Sequence, residues 1–253
     1  MNTLLFIEPR MIEYCVSILN EYYKILGNDW KYVFYCGKGT LSYWTQSAFV
    51  DELKRIIEFR ELNVENMTPY QYNDFLKNRD LWESLTGDFV LTAQVDTWPM
   101  NMKPHTIDYF IKLNKSYIGG NMSCHYNEMK REKMNVKVMN FNGGLSLRKR
   151  LDMLKVIDTF PPEPSINSSI STKIETDAED VYFSVGCYKI NLPIGDDEES
   201  SHFAVHSLSK DTFFGIHNPH GEAGYTIRKR FPELCGLNPW LKLENAYYIP
   251  DLD

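Results

Sequence analysis

The sequence predicts an α/β protein on three observations. The first hundred residues alternate short apolar strands with helical stripes, in the order strand, helix, strand, helix, strand. The stripes and strands are punctuated by Gly and Pro. The segment "DFVLTAQVD" (88–96) is a near-continuous apolar run, as expected at the centre of a sheet covered on both faces.

The elements follow in order. "TLLFIEP" is a short strand broken by Pro9. From Met11 the apolar residues fall at 11, 15, 18, 19, 22, 25 and 26, a helical stripe that stops at Gly27. "WKYVFYC" is the second strand, ended by a "GKG" turn, and Leu53 to Phe59 offers another. "TPYQYNDFLKNRDLWESL" reads as one helix, with Thr68 as its cap and Pro69 at its first position. The strand 88–96 then ends on Asp96, where an α/β sheet places its ligands.

In the second half, "KVMNFNGGLSLRKRLDMLKVI" reads as a strand, a glycine turn and a helix, with Arg148 one turn into that helix. "PPEPSINSSISTKIETDAED" is Pro/Ser-rich and acidic, the composition of a mobile loop. "EDVYFSVGCYKI" reads as a helix with its acids at the start, where the dipole favours them. "HFAVHS" resembles an edge strand, and "FFGIHNPH" a strand running into a turn. There is no internal repeat, and one domain over 1–253 is expected.

With 43% hydrophobic and 24% charged residues, the composition is that of an ordinary soluble globular protein. The net charge of −7 argues against a nucleic-acid partner. No apolar run approaches the roughly 18 residues of a membrane span. The opening "MNTLLFIEPR" reads as a strand, not a signal peptide. Five scattered cysteines without a C-x-x-C pair point to reduced thiols and a cytoplasmic setting. The sequons at Asn66, Asn114, Asn121 and Asn167 are then read as chance.

Four polar clusters stand out: 94–96, 142–144, 179–180 and His217. Each alone has an ordinary reading, as a strand-end turn, a glycine turn, a helix cap and a loop histidine. Their order carries more. The residues Glu8-Pro9-Arg10, Trp30, Gln94-Val95-Asp96-Thr97, Tyr117-Ile118-Gly119 and "NGGLSLR" (142–148) form one series. "EDVYFS" (179–184), Phe203-Ala204-Val205 and "GIHNP" (215–219) continue it.

This series resembles an uncharacterised glycosyltransferase-like family with the GT-A nucleotide-sugar transferase fold, over roughly residues 4 to 220. The resemblance implies a three-layer α/β/α sandwich with a mixed, mostly parallel central sheet. It implies a nucleotide-sugar donor, most readily a UDP-sugar, a carbohydrate or glycoconjugate acceptor, and Mn²⁺ or Mg²⁺. Asp96 and His217 would hold the cation, and Asp180 would serve as general base with Glu179 on a substrate hydroxyl. Glu8, Arg10, Gln94, Asp96, Thr97 and Arg148 would contact the donor, and Asn142, Gly143 and Gly144 the sugars. For Glu8 an ion pair with Arg10 is the competing reading.

Where the fold normally carries D-x-D, this chain has Gln94 first, and an amide is a poorer hard-cation ligand than a carboxylate. That keeps open a non-catalytic glycan- or nucleotide-sugar-binding protein of the same fold. A sugar-nucleotide pyrophosphorylase would need a glycine-rich loop after the first strand, and "IEPRMIEY" has no glycine.

Overall fold

The computed structural model describes residues 1–121, 132–137 and 142–243. Its strands are β1 (Asn2–Glu8), β2 (Trp30–Cys36), β3 (Ile57–Glu61), β4 (Phe89–Ala93), β5 (Thr97–Pro99), β6 (Tyr117–Gly119), β7 (Leu145–Lys149), β8 (Ala204–Val205) and β9 (Gly215–His217). Six of them form the sheet β3-β2-β1-β4-β7-β6, and β5-β9-β8 form a smaller one. β1 to β4 run parallel, whereas β7 is antiparallel to both β4 and β6. The sheet is therefore mixed and mostly parallel, as expected.

Strand period explains the layers. Leu4 and Phe6 of β1 enter one apolar cluster, while their neighbours Leu5 and Ile7 enter the other. The same alternation separates Tyr32 and Phe34 from Val33 in β2, and Leu91 from Val90 in β4. Helix Tyr14–Leu26 covers the first face with Cys15, Ile18, Leu19, Tyr22 and Leu26. Helices Arg150–Thr159 and Glu179–Lys189 cover the second, together with Leu81 and Trp82. Each face is sealed, which is why β1 and β4 read as continuous apolar runs.

Several local expectations meet their physical cause. The first helix ends at Gly27, whose φ of 64° suits glycine. Thr68 and Gln71 form a reciprocal capping box with Pro69 in the first turn. That helix is shorter than expected, however. It stops at Lys77, and Asn78 turns extended and caps a second helix, Arg79–Ser84, by accepting from Asp80 N–H at 2.7 Å. The strand expected over Leu53 to Phe59 is instead helix Asp51–Ile56 followed by β3. Lys54 N–H closes a helical turn onto the Val50 carbonyl, and the short apolar run splits between the two periods.

Two further differences bear on the site. The glycines 143 and 144 lead into β7 rather than into a helix, so Arg148 lies on an inner strand of the sheet. The strand expected just ahead of Asn142 falls outside the described residues. The loop expected to be mobile is anchored. Lys77, only 1% exposed, donates from Nζ to the carbonyls of Glu163, Glu175 and Asp177 at 3.0, 3.0 and 3.2 Å. Ser171, Ile174 and Asp177 in the same stretch are buried.

Candidate active site

A turn at 94–97 brings the strand-end acid to the carboxyl edge of β1 and β4. Gln94 N–H donates to the Gly144 carbonyl at 3.0 Å, which ties the turn to the glycine pair. Thr97 closes it from below. Its N–H and hydroxyl both donate to the Gln94 carbonyl, and Tyr22 O–H donates to Thr97 Oγ1 at 3.0 Å. The small sheet then delivers the histidine, because β5 and β9 pair Thr97 with His217. His217 Nε2 comes to 3.4 Å from Asp96 Oδ1, although the two lie far apart in sequence. His217 Nδ1 is buried without a hydrogen-bond partner among the described residues.

The same cleft takes in the two acids at the start of helix Glu179–Lys189. Glu179 is buried and Asp180 half-buried. Burial pushes the Asp180 carboxyl up to about 7, and the adjacent Glu179 charge adds to it. Burial also opposes ionisation of Asp96, but His217, with a backbone hydrogen bond and the Lys242 charge, more than offsets it and holds that carboxyl below its usual range. His206 Nδ1 donates to the His217 carbonyl at 3.0 Å, and burial followed by the neighbouring His217 lowers its imidazole to about 4.

These groups line one cleft of about 560 Å³. It gathers Glu8, Arg10, Gln94, Asp96, Asn142, Gly143, Gly144, Glu179, Asp180 and His217, each expected at a site. Glu8 forms the ion pair that was its competing reading, accepting from Arg10 Nε and a terminal nitrogen at 2.7 Å each. The glycines have a different cause from the expected approach of a sugar. A Cβ on Gly143 would lie 2.0 Å from Glu179 Oε1, and one on Gly144 would lie 2.1 Å from His217 Nε2. Protein side chains occupy that space. Asn142 Oδ1 already accepts from Gly144 N–H at 3.1 Å.

Two expected donor contacts do not face the cleft. Thr97 is fully buried and spent on the turn. Arg148 is fully buried as well, because β7 turns its side chain towards Glu179 at 2.5 Å and under the Tyr117 ring. Residues that sequence reading missed take places in the wall: Tyr72, Asn73, His206, Trp240 and Lys242. Burial, then the Glu179 charge, raises the Tyr72 phenol. Trp240 lies 4.8 Å from the Arg10 guanidinium, ring centroid to carbon. Buried Asn238 holds that segment in place by donating to the carbonyls of Val95 and Thr97 at 3.0 Å each. No periodicity or motif marks these positions in the sequence.

The donor set suits a divalent cation such as Mn²⁺, which accepts mixed oxygen and nitrogen ligands. Among the described residues no group of three or more His, Cys, Asp or Glu side chains could hold a metal. Asp96 and His217 would thus be two protein ligands, with substrate oxygens and water completing the shell.

A family model described as "protein of unknown function (DUF5672)" matches residues 55–221. The chain belongs to the DUF5672 family. No curated protein sequence matches it. Among solved structures, the galactosyltransferase LgtC in complex with donor and acceptor sugar analogs superposes at a TM-score of 0.57, with 12% identity and 98% of each chain covered. An active-site mutant of LgtC gives 0.55 at 11% identity, again over 98% of both chains. The mannosyltransferase PcManGT from Pyrobaculum calidifontis, in complex with GDP-Man and Mn²⁺, gives 0.49 at 12% identity over 96% of this chain and 68% of that one. The LgtC superpositions show a shared GT-A glycosyltransferase fold. In this DUF5672 protein, no helix among the described residues is long and apolar enough to cross a membrane.

Proposed function

We propose that the protein is a divalent-cation-dependent glycosyltransferase that moves a sugar from a nucleoside-diphosphate donor to a hydroxyl acceptor, with inversion. One observation carries this reading: the Asp96–His217 pair and the Glu179–Asp180 pair meet in one cleft. Breaking the anomeric C–O bond leaves its electron pair, and negative charge, on the diphosphate. When bound, a divalent cation neutralises that charge as a Lewis acid. Lys242, in the same wall and close enough to influence the Asp96 carboxylate, adds a second positive charge. In the same cleft, Asp180 takes the proton from the acceptor hydroxyl as its oxygen bonds to the anomeric carbon. A base titrating near 7 is matched to that task at neutral pH, and such transfer is worth about 10²–10⁴ in rate. A UDP-sugar donor and a cytoplasmic setting belong to this reading.

A thermal-shift panel of UDP-, GDP- and ADP-sugars with and without Mn²⁺ tests it. A donor at about 100 times its Kd stabilises by about 2.7 kcal/mol. No shift with any nucleotide sugar would reject the reading. Gln94, which replaces an acid in the cleft, favours a second reading, a binding protein without turnover. Cation-dependent melting shifts without nucleotide release in the presence of acceptors would select it.

A further inference from the structure

Two adjacent acids at one helix start are chemically alike, and the fold must make them different. The agent is behind the wall. Arg148 donates from Nε to Ser146 Oγ at 2.8 Å and from a terminal nitrogen to the Gly143 carbonyl at 3.3 Å. Its two terminal nitrogens also reach both Glu179 oxygens, at 2.5 and 3.2 Å. The rings of Tyr117, Phe183 and Trp82 enclose the guanidinium, with centroids at 4.9, 5.5 and 5.9 Å. A fully buried guanidinium requires a fixed anion, and the planar fork sets the plane of the carboxylate it grips. Asp180 is held far less. Its Oδ1 accepts from Val181 N–H at 2.7 Å, and among the described residues no hydrogen-bond partner meets its other oxygen.

We propose that Arg148 is a positioning residue that divides the labour of the pair. Gripped on both oxygens, Glu179 is a fixed acceptor for a substrate hydroxyl, and Asp180 is left as the acid that exchanges a proton. The nature of that substrate rests on the transferase reading, but the division itself does not. The same guanidinium holds the Gly143 carbonyl, so it locks the glycine turn against the acid pair in one step. Lysine at this position would supply a point charge without the fork.

The test follows the Asp180 carboxyl by ¹³C NMR in a pH titration of the whole protein, assigned with Asp180→Asn. The charged or titratable groups that face Asp180 are Glu179, Arg148, Asp177 and Tyr117. Wild type should titrate near 7. Removing the like charge with Glu179→Gln should lower the midpoint by roughly one unit or more, and Arg148→Met should raise it by a smaller, measurable amount. The double variant, which removes the pair together, should fall between the two singles. A merely structural arginine would change melting temperature without this pattern. Identical midpoints in wild type and a folded Arg148→Met would overturn the proposal. If Arg148→Met does not fold, the neutral pair of the double variant serves instead. Midpoints equal in Glu179→Gln and the double variant would then overturn it, and a higher midpoint in the double would support it. Because no donor or turnover enters the measurement, failure of the transferase reading would leave the result intact.

Discussion

Gly144 has no positive φ, so its backbone would accept any residue; the space above it would not. A Cβ there would meet His217 Nε2 at 2.1 Å and Gln94 Oε1 at 2.6 Å, and both are side-chain ends that can move aside. Gly144→Ala should therefore fold, with His217 pushed away from Asp96. Calorimetry should show Mn²⁺-dependent nucleotide binding lost and the melting temperature nearly kept. Retained Mn²⁺ dependence would remove His217 from the metal site. Asp180 makes a second prediction at this scale. Its folded carboxyl titrates near 7, above the roughly 3.9 of an unfolded aspartate. Between those values the folded state binds the extra proton, so this stability is full below about 4 and lost as pH rises through 7. The melting-temperature advantage of Asp180→Asn over wild type should grow from pH 5 to pH 8. A difference that is flat with pH would mean that Asp180 titrates normally.

At the scale of elements, one buried cation gives a polar loop its shape. The stretch 161–178 has the composition of a mobile segment, yet three of its carbonyls converge on Lys77. Burial lowers the lysine's pKa, and Asp74 at 3.6 Å, followed by the charges of Asp177 and Glu179, partly compensates. Lys77→Met leaves the Glu163 carbonyl without a donor among the described residues, while Glu175 keeps Glu163 N–H at 3.0 Å and Asp177 keeps the Ser165 hydroxyl at 3.4 Å. One orphaned carbonyl costs about 1–3 kcal/mol, and two more that each lose one of two donors place the expectation near ~3 kcal/mol. That corresponds to a melting temperature lower by roughly 6–12 °C. Limited proteolysis should also cut within 161–178 in the variant and spare wild type. Unchanged stability and cleavage would show that other contacts hold the loop. The short strands obey the same logic. β5 and β9 have three residues each, and only pairing across the small sheet, β5 with β9 and β9 with β8, makes them strands.

At the scale of the molecule, the cleft draws on more of the chain than the family model spans. The matched region, 55–221, contains both the Asp96–His217 pair and the Glu179–Asp180 pair, while Glu8, Arg10, Trp240 and Lys242 come from outside it. Asn238 fastens the late segment to the main chain on either side of Asp96. If Lys242 meets the diphosphate, Lys242→Met should weaken UDP binding about tenfold, the ~1.4 kcal/mol of one charge-assisted contact. Uridine, which lacks phosphate, should bind the variant and wild type alike. Equal UDP affinity in the two proteins, measured by calorimetry with Mn²⁺, would place the diphosphate elsewhere.

How much was legible from sequence depends on the range of the cause. The strands β1, β2 and β4, the capping box at Thr68 and the acids at the start of helix Glu179–Lys189 were readable, because apolar period, breakers and caps act within a few residues. The one-helix reading of 68–85 failed at Asn78, which turns extended and caps a second helix, and the strand expected over 53–59 begins only at Ile57, because the short apolar run before it fits both periods. Local pattern was enough for the α/β layering and for the identity of most polar groups in the cleft. Long-range packing was needed to bring His217 to Asp96 across the small sheet, and to close the wall with Trp240 and Lys242. The same packing sets Thr97 and Arg148 to work from behind the wall. Burial and partnership across tens of residues leave no local pattern: the arginine expected one turn into a helix as a donor contact becomes, on an inner strand beneath three rings, the buried partner of Glu179.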